Sequence, residues 1–228
     1  MRDSVRALLD LVLPVGCGGC GAPGPAWCRR CAALLAGPVR VHPPCCGADP
    51  AAYALGAYRG RLRAALLAYK ERGRRDLAGP LGAALGAGLL RLPEFADRFP
   101  DGVCLVPVPS RWSAAARRGG QHVALLADRA AATVAGAGVE ATVAPALRMA
   151  RGVRDSVGLD RAARQANLAD RVLVRPAGLP PPGTPVVLVD DVLTTGTTAV
   201  ACARALLQAG VEVPAVVALA ASGRHAPS

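Results

Sequence analysis

Residues 185–198 read Pro185-Val186-Val187-Leu188-Val189-Asp190-Asp191-Val192-Leu193-Thr194-Thr195-Gly196-Thr197-Thr198. Val186 to Val189 is an unbroken apolar, mostly β-branched run between a proline and two aspartates, the pattern of a strand buried on both faces of a parallel sheet. From Thr198 onward Ala199, Val200, Ala203, Leu206 and Leu207 recur at helical spacing, and Gly210 supplies a stop. Asp190 to Thr197 is therefore expected to form the loop from the carboxyl end of a strand to the amino end of a helix. Open α/β sheets bind ligands there, and unpaired N–H groups with the helix dipole favour phosphate. Thr194, Thr195, Thr197 and Thr198 offer hydroxyls, and Gly196 permits close backbone approach. Two adjacent carboxylates beside a phosphate need tasks of their own, either accepting from vicinal ribose hydroxyls or holding magnesium through water. An anion cradle and an acid pair together describe a ribose 5-phosphate site.

The surrounding chain has the means to build such a sheet. Its 228 residues are 52% apolar, 3% aromatic and 19% charged, which excludes intrinsic disorder because enough surface can be buried to offset ordering entropy. The length suits one sizeable domain with a small appendage. Lys+Arg number 27 against 16 Asp+Glu, for a net charge of +11. Lys70 is the only lysine, so basic function rests on guanidinium groups, whose planar fork can hold two phosphate oxygens. The net charge is +2 over residues 1–50, +4 over 51–110, +6 over 111–175 and −1 over 176–228. A polyanionic partner is expected to meet the middle of the chain.

The opening residues before Cys17 have the outline of a lipoprotein leader, but Asp10 interrupts the apolar run and Pro14 stands close to the cysteine. A leader is not expected, and Val5 to Leu13 has helical spacing instead. No apolar stretch approaches the roughly 18 residues of a membrane span. A cytoplasmic, reducing location without membrane insertion is the expectation.

Six of the eight cysteines fall within residues 17–46, and under reducing conditions such a cluster reads as a metal site. Cys17 and Cys20 form one C-x2-C pair, Cys28 and Cys31 another, with seven Gly- and Pro-rich residues between them. Two tight turns of this kind aim four thiolates at one ion, a closed S4 site suited to structural zinc rather than catalysis. Zinc binding would supply the folding energy that so short a segment lacks. Cys45 and Cys46 are either the remnant of a second knuckle or the source of one ligand together with His42. Cys104 and Cys202 lie in apolar contexts and read as buried, inert thiols.

Leu105 to Val108 reads as the first core strand, stopped by Pro107 and Pro109 so that the backbone of Ser110 and Arg111 is left at its carboxyl end. Arg111, Arg117 and Arg118 concentrate positive charge just beyond it. His122 reads as a polar residue at a helix start rather than a base, because no carboxylate neighbours it in sequence. The densest basic cluster comprises Arg59, Arg61, Arg63, Lys70, Arg72, Arg74 and Arg75, interleaved with Tyr58 and Tyr69. Such interleaving suits single-stranded nucleic acid, with Arg72, Arg74 and Arg75 as the contacts. Leu62, Leu66, Leu67 and Tyr69 also fit an amphipathic helix, which places at least one tyrosine in the core.

Together these segments resemble the ComF family of competence-associated, phosphoribosyltransferase-like proteins. The resemblance runs from Cys17 to Ala220. It rests on the cysteine knuckle, Tyr58-Arg59-Gly60 leading to Tyr69-Lys70, Val106 to Arg111, the arginine-rich Leu147 to Leu168, and residues 185–198. It implies an α/β, parallel-sheet, type I phosphoribosyltransferase-like domain over residues 52–228, preceded by a zinc-ribbon-like knuckle over residues 1–51. By the same resemblance Asp190 and Asp191 hold the ribose hydroxyls and Thr194 to Thr198, with Gly196, wrap the 5-phosphate. Ser110, Arg111 and Arg118 belong to the pyrophosphate loop, and phosphoribosyl pyrophosphate binds with Mg2+. The family continues Arg-Gly with Phe-Asn-Gln, where this chain has Gly120-Gln121-His122, and has Gln where this chain has Ser156. Leu159, Arg164 and Asn167 match a family segment that forms a hood over the site, although an exposed helix with i,i+4 charge spacing accounts for the same residues.

Two functions follow. One is a phosphoribosyltransferase working by positioning and electrostatic stabilisation, its acceptor not legible. The other is a non-catalytic adaptor for single-stranded DNA or a helicase-type competence partner in DNA uptake.

Overall fold

The computed structural model describes residues 16–47, 49–93, 95–109, 122–150 and 172–223. The helix expected over Val5 to Leu13, the arginines at 111, 117 and 118, Ser110, and the hood residues beyond 150 lie outside the described residues.

Six strands lie side by side in the order β1 (Val39–Val41), β2 (Ala51–Ala57), β8 (Ala215–Ala221), β7 (Val186–Leu193), β3 (Val103–Pro107), β4 (Ala141–Val143). All neighbours run parallel except β1, which pairs antiparallel with β2 at the edge. The protein is thus α/β with a mostly parallel, mixed sheet, whose centre is parallel as expected and whose β1 edge is not. A short antiparallel pair, β5 (Leu147–Met149) and β6 (Val172–Val174), stands apart; β5 occupies the start of the arginine-rich segment read as a hood.

Strand alternation builds two cores. Leu105, Val187, Val189, Val217 and Leu219 face one side and pack with Leu62, Leu66 and Tyr69 of α2 (Gly60–Glu71), Leu81, Leu85 and Leu89 of α3 (Ala78–Leu89), and Leu126 of α5 (His122–Gly136). Cys104, Val106, Val186, Leu188 and Val216 face the other, with Cys202 and Leu206 of α6 (Thr197–Gln208). Helix α3 carries no charged residue, as a helix held between a sheet and another helix requires. Two further helical turns, α1 (Arg29–Ala32) and α4 (Phe95–Arg98), complete the α-helices among the described residues. No helix among the described residues is long and apolar enough to cross a membrane.

From β3 the chain passes through α5 to β4 on one side; from β7 it passes through α6 to β8 on the other. The order therefore reverses between β3 and β7, and the crevice at their carboxyl ends is where sheets of this kind take ligands.

Strand β7 runs to Leu193, so Asp190 and Asp191 lie within it rather than in the following loop. The ladder to β8 simply continues, Asp190 opposite Ala218 and Val192 opposite Ala220, because the acids find partners that let the backbone stay extended.

Candidate functional site

Cys17, Cys20, Cys28 and Cys31 bring their sulfurs within 4.8 Å of one another, with Cys20 Sγ and Cys28 Sγ 3.7 Å apart. A zinc–sulfur bond of about 2.3 Å places tetrahedral sulfurs about 3.8 Å apart, so this cluster can hold a metal such as zinc. The turns that form it are local: Gly21 N–H donates to the Cys17 carbonyl at 2.8 Å, and the Cys28 carbonyl accepts from Cys31 and Ala32 at 3.0 and 2.9 Å. Burial alone would raise the Cys17 thiol, but backbone N–H groups of Cys20, Cys28 and Gly19 outweigh it and lower it from 9.0 to about 6. Cys31 is raised, by burial first and then by the neighbouring sulfurs. Four crowded sulfurs of which one is already disposed to ionise form a set that a dication would complete.

The knuckle docks by close approach. A Cβ at Gly19 would lie 2.8 Å from the Trp27 ring, 3.0 Å from Cys31 Sγ and 3.1 Å from the Arg61 carbonyl, so only glycine fits between the cysteines here. Arg74 binds Asp76 through two nitrogens, at 2.9 and 2.7 Å, and donates to the Gly16 carbonyl at 3.1 Å. One of the three arginines assigned to nucleic acid thus ties the knuckle to the segment after α2, while Arg72 and Arg75 are exposed.

The crevice at the sheet's reversal is built around Asp191. Adjacent strand residues alternate faces, so Asp191 points towards α2 and α5 and Asp190 towards α6. His122 Nε2, on the first residue of α5, lies 2.7 Å from Asp191 Oδ2. Lys70 Nζ, in the last turn of α2, lies 2.9 Å from Oδ2 and 3.2 Å from Oδ1. The Asp191 and His122 side chains are only 4% and 8% exposed, against 32% for Lys70. Tyr69 donates its hydroxyl to the His122 carbonyl at 2.7 Å and meets the imidazole edge-on; burial first, and then the Asp191 charge, raises its phenol.

Burial alone would raise the Asp191 carboxyl, but the His122 hydrogen bond and the Lys70 charge dominate and hold it well below the usual carboxylate range. Asp190 goes the other way. Burial first, and then the Asp191 charge, push it well up, although its Oδ1 accepts the Asp191 N–H at 2.8 Å. The pair is therefore unequal, one acid held ionised and the other resisting ionisation.

Two sequence expectations change here. His122 lies in the first described turn of a helix, and a carboxylate orients it from 69 residues away. Lys70 belongs to Asp191 rather than to the surrounding basic cluster. The signals were faint: a single lysine in an arginine-rich chain, and a histidine in the helical stretch after a core strand.

Beyond β7 the turn at Thr194–Gly196 leads into α6. Gly196 has φ of 78°, the left-handed conformation that other residues adopt at a cost, and α6 presents its first-turn N–H groups beside it. Thr195 and Thr197 hydroxyls lie 2.9 Å apart, and Thr197 Oγ1 donates to Cys45 Sγ at 3.2 Å. The Cys45 N–H donates to the Thr195 carbonyl at 2.9 Å, and a Cβ on Gly196 would lie 2.5 Å from Cys46 Sγ. The cysteine doublet is therefore neither a second knuckle nor a ligand of the first: it straps the threonine turn. Burial raises the thiols of Cys104 and Cys202, as expected of inert core cysteines.

A separate cavity of about 650 Å³, lined by Pro50, Ala203, Arg204, Leu207 and Val213 among others, lies towards the amino ends of β2 and β8, away from these groups. The chain matches no protein-family model and no curated protein, so the crevice's own chemistry carries the functional reading.

Proposed function

We propose that the chain has a type I phosphoribosyltransferase-like fold of the ComF kind and binds phosphoribosyl pyrophosphate with magnesium at the carboxyl ends of β3 and β7. The observation that carries this reading is the junction of an ionised Asp191, its unequal neighbour Asp190 and the threonine turn at the start of α6, all at the point where strand order reverses. The Thr194–Thr198 turn and the α6 N–H groups take the 5-phosphate. Asp190 and Asp191 accept from the ribose hydroxyls. A carboxylate has about four lone-pair sites, and His122 and Lys70 leave Asp191 capacity on Oδ1. Ser110, Arg111 and Arg118, in the segment following β3, are assigned to the pyrophosphate.

The acid pair fits a magnesium complex, since a carboxyl pushed up by a neighbouring negative charge is one whose ionisation a cation would restore. Asp190 would hold such an ion through water. Magnesium, bound with its ligand, would supply neutralisation of the departing pyrophosphate. The residues of the chain hold and orient the sugar, and reaction, where it occurs, transfers the ribosyl carbon to an acceptor nitrogen. A role in DNA uptake follows from the ComF likeness.

Titration of the protein with phosphoribosyl pyrophosphate and magnesium, against Asp190→Asn and Asp191→Asn, tests the assignment. The expected result is loss of affinity in both variants; equal affinities would sink it. Pyrophosphate release then reads out turnover.

A second reading, an adaptor for single-stranded DNA or a helicase-type partner, is supported by the exposed Arg59, Arg61, Arg63 and Arg72 on and beside α2. Single-strand affinity with a steep salt slope, lost on neutralising Arg72, Arg74 and Arg75, is its expected signature.

A further inference from the structure

Asp191 is approached by charged or titratable groups from three elements: Lys70 and Tyr69 of α2, His122 of α5, and Asp190 beside it on β7. Three of its hydrogen-bonding contacts, at 2.7, 2.9 and 3.2 Å, come from His122 and Lys70. These contacts fix the carboxylate's rotation, because one oxygen is shared by the imidazole and the ammonium while the other meets the ammonium alone. The imidazole is itself held, by the Tyr69 hydroxyl on its backbone and the Tyr69 ring against its edge. His122 spends its Nε2 on Asp191 Oδ2 at 2.7 Å and so acts through Asp191.

We propose that His122 and Lys70 are positioning residues that clamp Asp191 as an oriented, ionised acceptor, so that the group it recognises is a neutral donor, the hydroxyl pair of a sugar phosphate, rather than a second cation. The naming of that donor as a phosphoribosyl hydroxyl rests on the reading above. The clamp itself rests on geometry alone. Its logic is electrostatic: a carboxylate beside another acid keeps its charge only if opposite charge and donors compensate for burial and repulsion. Two donors from two different helices also leave a defined part of Oδ1 for the ligand, which a freely rotating carboxylate would not. Lysine and histidine divide the task, the ammonium supplying charge and the buried ring supplying direction.

The test has two arms. In the first, the Asp191 carboxyl resonance, assigned by its loss in Asp191→Asn, is followed against pH in the ligand-free wild type, Lys70→Met and His122→Leu. The two variants should titrate at higher pH than the wild type, while Lys70→Arg and His122→Gln, which keep a charge and a donor respectively, should stay close to it. In the second arm, affinity for phosphoribosyl pyrophosphate with magnesium is measured for the same proteins from mildly acid to neutral pH. Lys70→Met and His122→Leu should weaken it about tenfold or more at the acid end, and less near neutrality, as expected of losing one hydrogen bond to a charged group. Bound metal at the knuckle and the thermal midpoint establish that each variant is folded.

An Asp191 titration unmoved by either substitution overturns the clamp. A moved titration with an unmoved pH profile of affinity overturns its role in ligand binding and leaves a structural ion pair. A wild type that binds no phosphoribosyl pyrophosphate at any pH overturns the phosphoribosyl reading and the named donor, while the first arm still decides the clamp.

Discussion

The cysteine knuckle and the Asp191 crevice solve opposite electrostatic problems. The knuckle gathers four thiols within 4.8 Å, and its neighbouring Arg74 is already bound to Asp76; the crevice gathers two acids and sets Lys70 and His122 against one of them. The first is a set that a metal such as zinc could complete; the second is completed by the protein itself. The knuckle's stability would therefore come from a bound metal, whereas the crevice is charge-compensated by its own side chains. Backbone differs in the same sense. The knuckle's sulfurs come from turns closed within fifteen residues, while the crevice hangs on strands and helices held by two leucine- and valine-rich cores.

Metal removal gives the largest effect that separates the two regions. Purified protein should carry about one zinc, and its chelation or Cys31→Ser should unfold residues 16–35, with about 10 kcal/mol of metal-coupled folding free energy at stake. In a Trp112→Phe background the buried Trp27 reports this as a red-shifted emission. A crevice that bound phosphoribosyl pyrophosphate normally in the metal-free protein would show the regions to be independent.

Next in size are the two aspartates, whose substitutions should have opposite signs. Asp191→Asn leaves Lys70 and His122 without their carboxylate and should cost about 3 kcal/mol at neutral pH. Asp191 is lowered in the folded state, so its stabilising contribution is present above the unfolded value near pH ~4 and fades as pH falls. The deficit of Asp191→Asn should therefore shrink in acid. Asp190 is raised, so the wild type loses stability as pH rises through its folded value, and Asp190→Asn should be neutral or stabilising towards higher pH. Denaturant midpoints across pH check both; parallel curves for the two variants would contradict the unequal pair.

Gly196→Ala should cost about 1–3 kcal/mol, combining left-handed backbone with collision against Cys46 and Pro43. Adding Cys46→Ala should recover part of it. The smallest effect belongs to Arg74→Ala. Asp76 is 40% exposed, so the pair is screened and the loss should be about 1 kcal/mol or less, read as easier metal release from the knuckle.

Much of this was legible in the residues. Val186 to Val189 announces a buried parallel strand, and the residues from Ala199 announce its following helix, because burial on two faces and on one face leave different spacings. Cys17, Cys20, Cys28 and Cys31 announce their cluster because two-residue turns aim side chains regardless of the rest of the fold. The limits of β7 were less legible. An acid pair normally ends a buried run, and only the partners reaching Asp191 from elsewhere allow the strand to continue through it.

The local chemistry of this protein, its thiol cluster and its threonine-rich strand-to-helix turn, was determined by sequence alone, since each depends on residues a few positions apart. Tertiary structure alone decided which acid is held ionised, that Lys70 and not a neighbouring arginine reaches it, that His122 has a carboxylate after all, and that Cys45 and Cys46 strap the threonine turn. Those contacts join residues separated by 69, 121 and about 150 positions, and they exist only because the order of β3, β7 and β8 carries the ends of α2, α5 and α6 to the carboxyl edge of one sheet.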